Sequence, residues 1–230
     1  PGDRKIPGGE VELALKTFYP VVMARGKVLY HGHAVAAVAA ITPELAAEAA
    51  RLVKVEYEVL PHVLDMHAAI RDDAPLLHDD VFTQGVEPPP STPSNVPFQF
   101  EMAMGDIAKG FAAADLVIER TYSVPMCHQA YIEPHACVAT ADEHGKVDIW
   151  CCTQGAFMVR TQTAAVTGID VGKIKVTASE IGGGFGGKTT VYIEPVAAVL
   201  ARKSGRPVKI VMSREDVFRA TGPVPAAETR

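Results

Sequence analysis

Residues 181–190 read IGGGFGGKTT, and five of the six positions from Gly182 to Gly187 are glycine. No other stretch restricts the fold of this chain so strongly. Each glycine costs about 0.5–1 kcal/mol of backbone entropy relative to alanine. Five in six positions are therefore unfavourable unless the backbone must turn sharply or press close against another group. The spelling satisfies two phosphate-binding patterns. Gly182, Gly187, Lys188 and Thr189 complete G-x-x-x-x-G-K-[ST], whereas Gly182, Gly184 and Gly187 complete G-x-G-x-x-G.

The flanking residues bear on both patterns. KIKVTAS (173–179) predicts a strand entering the run, and TVYIEPVAAVLARKSG (190–205) a helix leaving it. That helix has Pro195 in its early turns, cations near its carboxyl end and Gly205 beyond it. TASEI, however, is polar for a central parallel strand, which should be a near-continuous apolar run. KIVMSRED gives no clean apolar run ending in a magnesium-binding Asp. A dinucleotide fingerprint expects an acid about 20 residues further on, where ARKSGRPVKIV is basic. The remaining readings are a ligand-free glycine turn, or a backbone that presents several N–H groups to a bound group at close range.

Bulk properties narrow the class. A chain of 230 residues with 48% hydrophobic and 21% charged residues suits a soluble globular protein. Its net charge of −5 gives no electrostatic reason to expect nucleic acid. No apolar run reaches the roughly 18 residues that span a bilayer, and VAAVAAI (35–41) reads as a buried strand. The four cysteines, Cys127, Cys137, Cys151 and Cys152, form no CxxC pair. Adjacent strand residues point to opposite faces, so Cys151 and Cys152 are poorly placed to share a metal or a bond. Reduced and mostly buried thiols in a cytoplasmic protein are the expectation.

Along the chain, KVLY (27–30), AVAAVAA (34–40) and KVEYEVL (54–60) read as strands. TPELAAEAARLV (42–53) between them reads as a helix capped by Thr42, with Pro43 at its first position. The Pro/Ser-rich stretch at 85–99 marks a linker between a first domain, 1–84, and a second, 100–230. In the second, GDIAKGFAAA (105–114) predicts a short helix and DLVIERTYSV (115–124) a strand. CVATAD (137–142) and KVDIWCCT (146–153) predict a hairpin turning at DEHG. FMVRTQTAAVTG (157–168) predicts a helix closed by Gly168, and RPVKIVMS (206–213) a last strand before a helix beginning near Ser213.

Several of these segments together resemble the molybdenum hydroxylases, the family of xanthine dehydrogenase and aldehyde oxidoreductase. CTQGAFMVRTQTAAVTGI (152–169) followed by IGGGFGGK (181–188) is similar to the family's T-Q-[GN] helix start and G-G-G-F-G-G-K loop, with Gln154 30 positions before Gly184. MGDIAKGFAAADLVIERTY (104–122), HQAYIEPHACVA (128–139) and ARKSGRPVKIVMSRED (201–216) resemble further segments of its cofactor domain. VLYHGHAVAAVAAITPELAAEAARLVKVEYEVLP (28–61) resembles the a/b hammerhead domain that precedes it. The implied fold is α+β: a partial hammerhead domain, then the first part of a molybdopterin-binding domain of mixed sheets and helices.

The resemblance implies a molybdopterin-binding portion of a multi-component oxidoreductase. That enzyme would oxidise an aldehyde or aromatic N-heterocycle, or act on an aromatic thioester, with water as oxygen source. Gln154 matches the glutamine whose amide hydrogen-bonds an oxo ligand of molybdenum; a polar turn residue is its other reading. Phe185 and Gly186 match loop residues whose N–H groups approach the metal's oxygen ligands and the pterin, while Gly183 and Gly184 let the backbone come close. Gln154 and Phe185 thus border the metal without ligating it, and Phe185 also suits a core position. Thr189 stands where purine-oxidising members carry Glu, which marks it as a substrate-pocket residue and speaks against xanthine.

No catalytic residue is expected within this chain, because the family's general-base glutamate falls beyond Arg230. His128, Glu133 and His135 read as structural or near-site polar residues, and Lys188 as facing either solvent or phosphate. The implied cofactor is molybdenum-molybdopterin, its cytosine dinucleotide form among the expectations. Iron–sulfur clusters and FAD would be carried by partner subunits or domains, and no cysteine signature for a cluster is present here. The implied partners are the remainder of the molybdopterin subunit, an iron–sulfur subunit, a flavin subunit and a small-molecule substrate. Two readings stand beside this one: a nucleotide-binding module using Lys188 and Thr189, and a non-catalytic assembly fragment.

Overall fold

The computed structural model describes residues 22–230 together with the strands Lys5–Pro7 (β1) and Glu12–Ala14 (β2), which pair antiparallel. The chain forms two compact units, one of residues 1–55 with 126–225 and one of 56–125 with 226–230. In the first unit, Pro43–Arg51 is helical (α1). It is capped as its sequence predicts: Thr42 is extended and its hydroxyl accepts the Leu45 N–H at 3.2 Å.

The second unit holds the short helices Met66–Ala69 (α2) and Ile107–Ala113 (α3), each with an aspartate cap, Asp65 and Asp106. Its strand Tyr122–Val124 (β3) pairs antiparallel with Ala227–Thr229. The Pro/Ser-rich segment folds back on residues 81–84. The Ser94 N–H donates to the Val81 carbonyl at 2.8 Å, and the Thr83 hydroxyl donates to the Val96 carbonyl at 2.7 Å.

The core of the first unit is a four-stranded sheet made of Ala136–Ala141 (β4), Val147–Cys151 (β5), Ile174–Ala178 (β6) and Val208–Val211 (β7), in the order β6-β5-β4-β7. β4 runs antiparallel to β5 and β7, whereas β5 and β6 are parallel neighbours. A parallel pair needs a crossover, here the helix Ala156–Thr167 (α4), closed by Gly168 in the left-handed conformation. The helix Glu194–Ser204 (α5) packs against β4 and α4, and Arg214–Ala220 (α6) follows β7 behind a capping box of Ser213 and Asp216.

Period-two alternation decides which sheet face the helices cover. Val147, Ile149 and Cys151 of β5 are buried beside Cys137 and Ala139 of β4, whereas Trp150 points outward and is exposed. From the helices, Val159, Ala197, Ala198 and Ala201 reach the same core with no accessible surface. The small residues of α5 let its backbone approach the sheet closely. Three cysteines, Cys137, Cys151 and Cys152, are buried free thiols, and Cys127 is exposed.

Four predicted strands differ from the structure. Residues 34–40 and 54–60 form no regular element and are exposed. KVLY (27–30) contributes only a bridge from Lys27 to Arg25, and of residues 115–124 only Tyr122–Val124 is strand. An apolar or alternating run becomes a strand only where a neighbour takes its backbone hydrogen bonds. No strand among the described residues does so for 34–40 or 54–60.

Candidate cofactor-binding site

Three segments meet at one end of the sheet because of strand direction. β5 and β6 are parallel with Cys151 opposite Ala178, so both carboxyl ends point the same way. Gln154 follows the first end and the glycine loop follows the second. β4 is antiparallel to β5 with Cys137 opposite Cys151, so the incoming segment 128–135 arrives at this same end. Sites in parallel α/β arrangements form beyond the carboxyl ends of the strands.

Gln154 is tied to the loop at three points. Its N–H donates to the Lys188 carbonyl at 3.0 Å. Its side-chain Oε1 accepts the N–H of Gly186 at 3.1 Å and of Lys188 at 3.2 Å. Both partners are donors, so the amide oxygen must face the loop and Nε2 must face away. The side chain is exposed, and Nε2 has no partner among the described residues. Thr153 supports the same turn: its hydroxyl donates to the Lys188 carbonyl at 3.1 Å and accepts the Gly155 N–H at 3.0 Å.

The glycines of the loop answer to close contacts. A Cβ on Gly184 would lie 2.5 Å from Gln154 Oε1, and one on Gly187 would lie 2.7 Å from Tyr131 Cε1. Gly183, Phe185 and Gly186 have φ of +93°, +50° and +86°. For Phe185 this left-handed backbone is uncommon, and strained backbone of this kind clusters at ligand sites. Its ring is 73% exposed, so the core reading of Phe185 does not hold within this chain. The Gly186 N–H is committed to Gln154, whereas those of Gly183, Gly184 and Phe185 bond no described residue. Thr189 lies exposed at the end of the loop, its hydroxyl donating to the Gly186 carbonyl at 3.0 Å.

Lys188 faces neither solvent nor phosphate. Its side chain has no accessible surface, and Nζ is 2.7 Å from Glu133 Oε2 and 4.9 Å from the centroid of the Tyr131 ring. A buried ammonium needs a counter-charge, and the segment entering β4 supplies it. The same Oε2 accepts the Gly182 N–H at 2.8 Å. Burial opposes ionisation of Glu133, but the bonds from Lys188 and Gly182 together with the Lys188 charge outweigh it and hold the carboxyl below its usual value.

A buried polar chain fixes Tyr131. The His128 Nδ1 accepts the Ala130 N–H at 2.9 Å, which leaves Nε2–H to donate to Thr221 Oγ1 at 2.9 Å. Thr221 gives its own proton to the Val217 carbonyl. The Tyr131 hydroxyl, 3.2 Å from Thr221 and 2.8 Å from His135 Nε2, therefore donates to Thr221 and accepts from His135. Burial, then the Lys188 charge, pushes the His135 imidazole down to about 4.

These contacts remove the nucleotide reading. A phosphate-loop lysine must reach the phosphates, and here Lys188 is turned inward onto Glu133. The following helix begins only at Glu194. The sequence singled out Gln154, Gly183, Gly184, Phe185, Gly186 and Thr189, and the structure brings all six together. It missed Tyr131 and the burial of Lys188, whereas Glu133, expected as a structural or near-site polar residue, stands against the loop. The one available signal was HQAYIEPH (128–135), which places an acid, an aromatic and two histidines within eight residues.

Comparison with known proteins agrees with this geometry. Residues 89–230 match the family described as molybdopterin cofactor-binding domain. The chain belongs to the molybdenum hydroxylase family. Residues 4–61 match its aldehyde oxidase and xanthine dehydrogenase a/b hammerhead domain. The chain is 37% identical over 199 residues to a probable xanthine dehydrogenase subunit from Bacillus subtilis (strain 168), covering 86% of this chain and 25% of that protein. It resembles reconstituted CO dehydrogenase from Oligotropha carboxidovorans with a TM-score of 0.76 and 31% identity, over 89% of this chain and 26% of that one. Quinoline 2-oxidoreductase from Pseudomonas putida 86 aligns with a TM-score of 0.73 and 27% identity, over 93% and 25% respectively. The chain thus spans about a quarter of the length of these molybdenum hydroxylases.

The residues present fit the family's molybdenum-molybdopterin cofactor. Among the described residues no three His, Cys, Asp or Glu side chains could together hold a metal ion. The loop offers instead uncharged N–H donors and a pre-set amide, which suit oxygen atoms on a group that carries its own metal. Among the described residues no helix is long and apolar enough to cross a membrane.

Proposed function

We propose that this chain forms one wall of the molybdenum-pterin pocket of a multi-component hydroxylase. The observation that carries this reading is the amide of Gln154. Its oxygen is locked by two loop N–H groups, so its nitrogen faces away from them, while the N–H groups of Gly183, Gly184 and Phe185 bond no described residue. The bound cofactor would supply oxygen transfer from water and take up the two electrons released when a substrate C–H becomes C–OH.

Within that chemistry, Gln154 Nε2 would donate a hydrogen bond to an oxygen of the cofactor without adding charge. The Phe185 N–H would do the same from the loop, and Gly183 and Gly184 would let the backbone come close to the group. Gly186 acts through Gln154, because its N–H holds the amide in orientation. Glu133 is unsuited to act as a general base, since its carboxylate is already bound to Lys188 and Gly182.

Thr189 is a neutral residue whose hydroxyl is turned onto the loop. It gives a purine no carboxylate to bind, which favours aldehydes or N-heterocycles such as the quinoline of the structural relative named above, with aromatic thioesters also within range. The cofactor would be held in the cytosine dinucleotide form, with iron–sulfur clusters and FAD on partner subunits in a cytoplasmic complex. Beyond the remainder of the molybdopterin subunit, the partners are these subunits and a small-molecule substrate, and not nucleic acid. The hammerhead and cofactor domains would divide at 85–99, a boundary supported by family matches that end at residue 61 and begin at residue 89.

The test is metal and pterin analysis of the complex purified with its native subunits. About one molybdenum per complex, lost when Gln154→Ala is combined with Gly184→Val, supports the reading. ATP or GTP binding that Lys188→Ala abolishes, with no molybdenum present, overturns it.

A further inference from the structure

Resting on the reading of residues 182–188 as the cofactor loop, we infer that Glu133 and Lys188 are its positioning residues. Together they set the loop's span and, through it, the orientation of the Gln154 amide. Glu133 Oε2 binds both ends of the loop at once, the Gly182 N–H at 2.8 Å and the Lys188 ammonium at 2.7 Å. The Glu133 N–H adds a bond to the Gly182 carbonyl at 3.2 Å, so one residue grips the entry of the loop at both the N–H and the carbonyl of Gly182.

Lys188 carries this anchorage to the amide. Its side chain ends on Glu133, while its N–H donates to Gln154 Oε1 and its carbonyl accepts from the Gln154 N–H and the Thr153 hydroxyl. A shift of Lys188 therefore moves every contact that orients Gln154 except the one from Gly186. The Tyr131 ring is the floor of the arrangement: Lys188 Nζ stacks on it, and only a glycine at 187 fits above its edge. The hydroxyl of that ring is itself fixed by His135 and Thr221.

Stability alone does not account for the choice of residues. A well-packed apolar pair of similar volume is often as stable as a buried ion pair, or more so. What the charged pair adds is geometry, since a single carboxylate oxygen meets a backbone donor and a side-chain donor six positions apart.

The experiment uses the assembled complex and compares Glu133→Ala, the double variant Glu133→Gln/Lys188→Met, Gln154→Ala and the core control Val147→Ala. The readouts are molybdenum and pterin content, amide exchange at Gly182, Gly186 and Lys188, kcat and KM, and the Mo(V) paramagnetic resonance spectrum. Removing both charges leaves no buried ion unpaired, so the double variant folds with a Tm near that of the parent. In it we expect loop exchange at least tenfold faster, kcat at least tenfold lower with KM within about twofold, and an altered Mo(V) spectrum. Val147→Ala should lower Tm without changing the spectrum.

A double variant with parental exchange, kcat and spectrum would overturn the positioning role, as would a kcat loss and spectral change that Val147→Ala reproduces. If Gln154→Ala too leaves cofactor content and spectrum unchanged, the cofactor-loop reading itself fails. If Gln154→Ala changes them and the double variant does not, only the positioning inference fails.

Discussion

Gly184→Ala isolates the contact on which the candidate site depends. The backbone of Gly184 is not left-handed, so alanine adopts it without strain, and the cost is steric. The new Cβ would lie 2.5, 2.7 and 3.0 Å from Oε1, Cδ and Cγ of Gln154. These atoms belong to an exposed side chain that can swing aside, so the core stays intact and the amide is displaced. Displacement forfeits the bonds from Gly186 and Lys188, each worth about 1 kcal/mol net. Amide exchange at those two positions should then accelerate about fivefold for one bond lost, and about thirtyfold where both open together. The decisive form is a double-mutant cycle, since Gln154→Ala deletes all three atoms that the new Cβ meets. In that background Gly184→Ala should cause almost no further acceleration, giving a coupling energy close to the whole cost of the single change. Additive effects within about 0.3 kcal/mol would refute the contact and the orientation of Gln154 drawn from it.

Gly187→Ala should be more damaging to stability, because its Cβ would meet Tyr131 Cε1 at 2.7 Å and that ring is held at its hydroxyl by two bonds. Overpacking of this kind costs about 1–3 kcal/mol, read as a lower midpoint in chemical unfolding. His135 gives the unit an acid limit. Its folded value of about 4 lies below the ordinary histidine value of 6.5, so the stability it contributes is present above pH 6.5 and is lost as pH falls towards 4. The loss amounts to ~3 kcal/mol over that interval, and His135→Gln should flatten the profile in denaturant titrations. Ser213→Ala removes the capping box of α6, at about 0.5–2 kcal/mol, and should leave molybdenum content unchanged because the cap takes no part in the loop.

Local chemistry made three helices and one hairpin legible. Thr42 and Pro43 announced α1, DEHG announced the β4–β5 hairpin, and Gly168 and Gly205 closed α4 and α5, because caps and turns depend on residues only a few positions apart. Residues 34–40 and 54–60 were misread for the opposite reason. Their apolar content is compatible with a strand, but a strand is decided by a partner elsewhere in the chain. The candidate site divides in the same way. Gln154 and the glycine loop stand out by spacing, whereas the Glu133–Lys188 pair joins residues 55 positions apart. Lysine is rarely buried, so a cation after a glycine run reads as exposed until its counter-charge is located. Nor does any motif reveal that the Gly186 N–H is spent on Gln154, whereas those of Gly183, Gly184 and Phe185 bond no described residue.

If Gln154 and the loop 183–186 border a molybdenum centre, anomalous scattering from crystals of the assembled complex, collected on either side of the molybdenum absorption edge, should show one molybdenum peak per complex near Gln154 Nε2 and the Phe185 N–H, with no protein side chain ligating it. A peak remote from both groups, or one coordinated by His, Cys, Asp or Glu side chains of this chain, would contradict it.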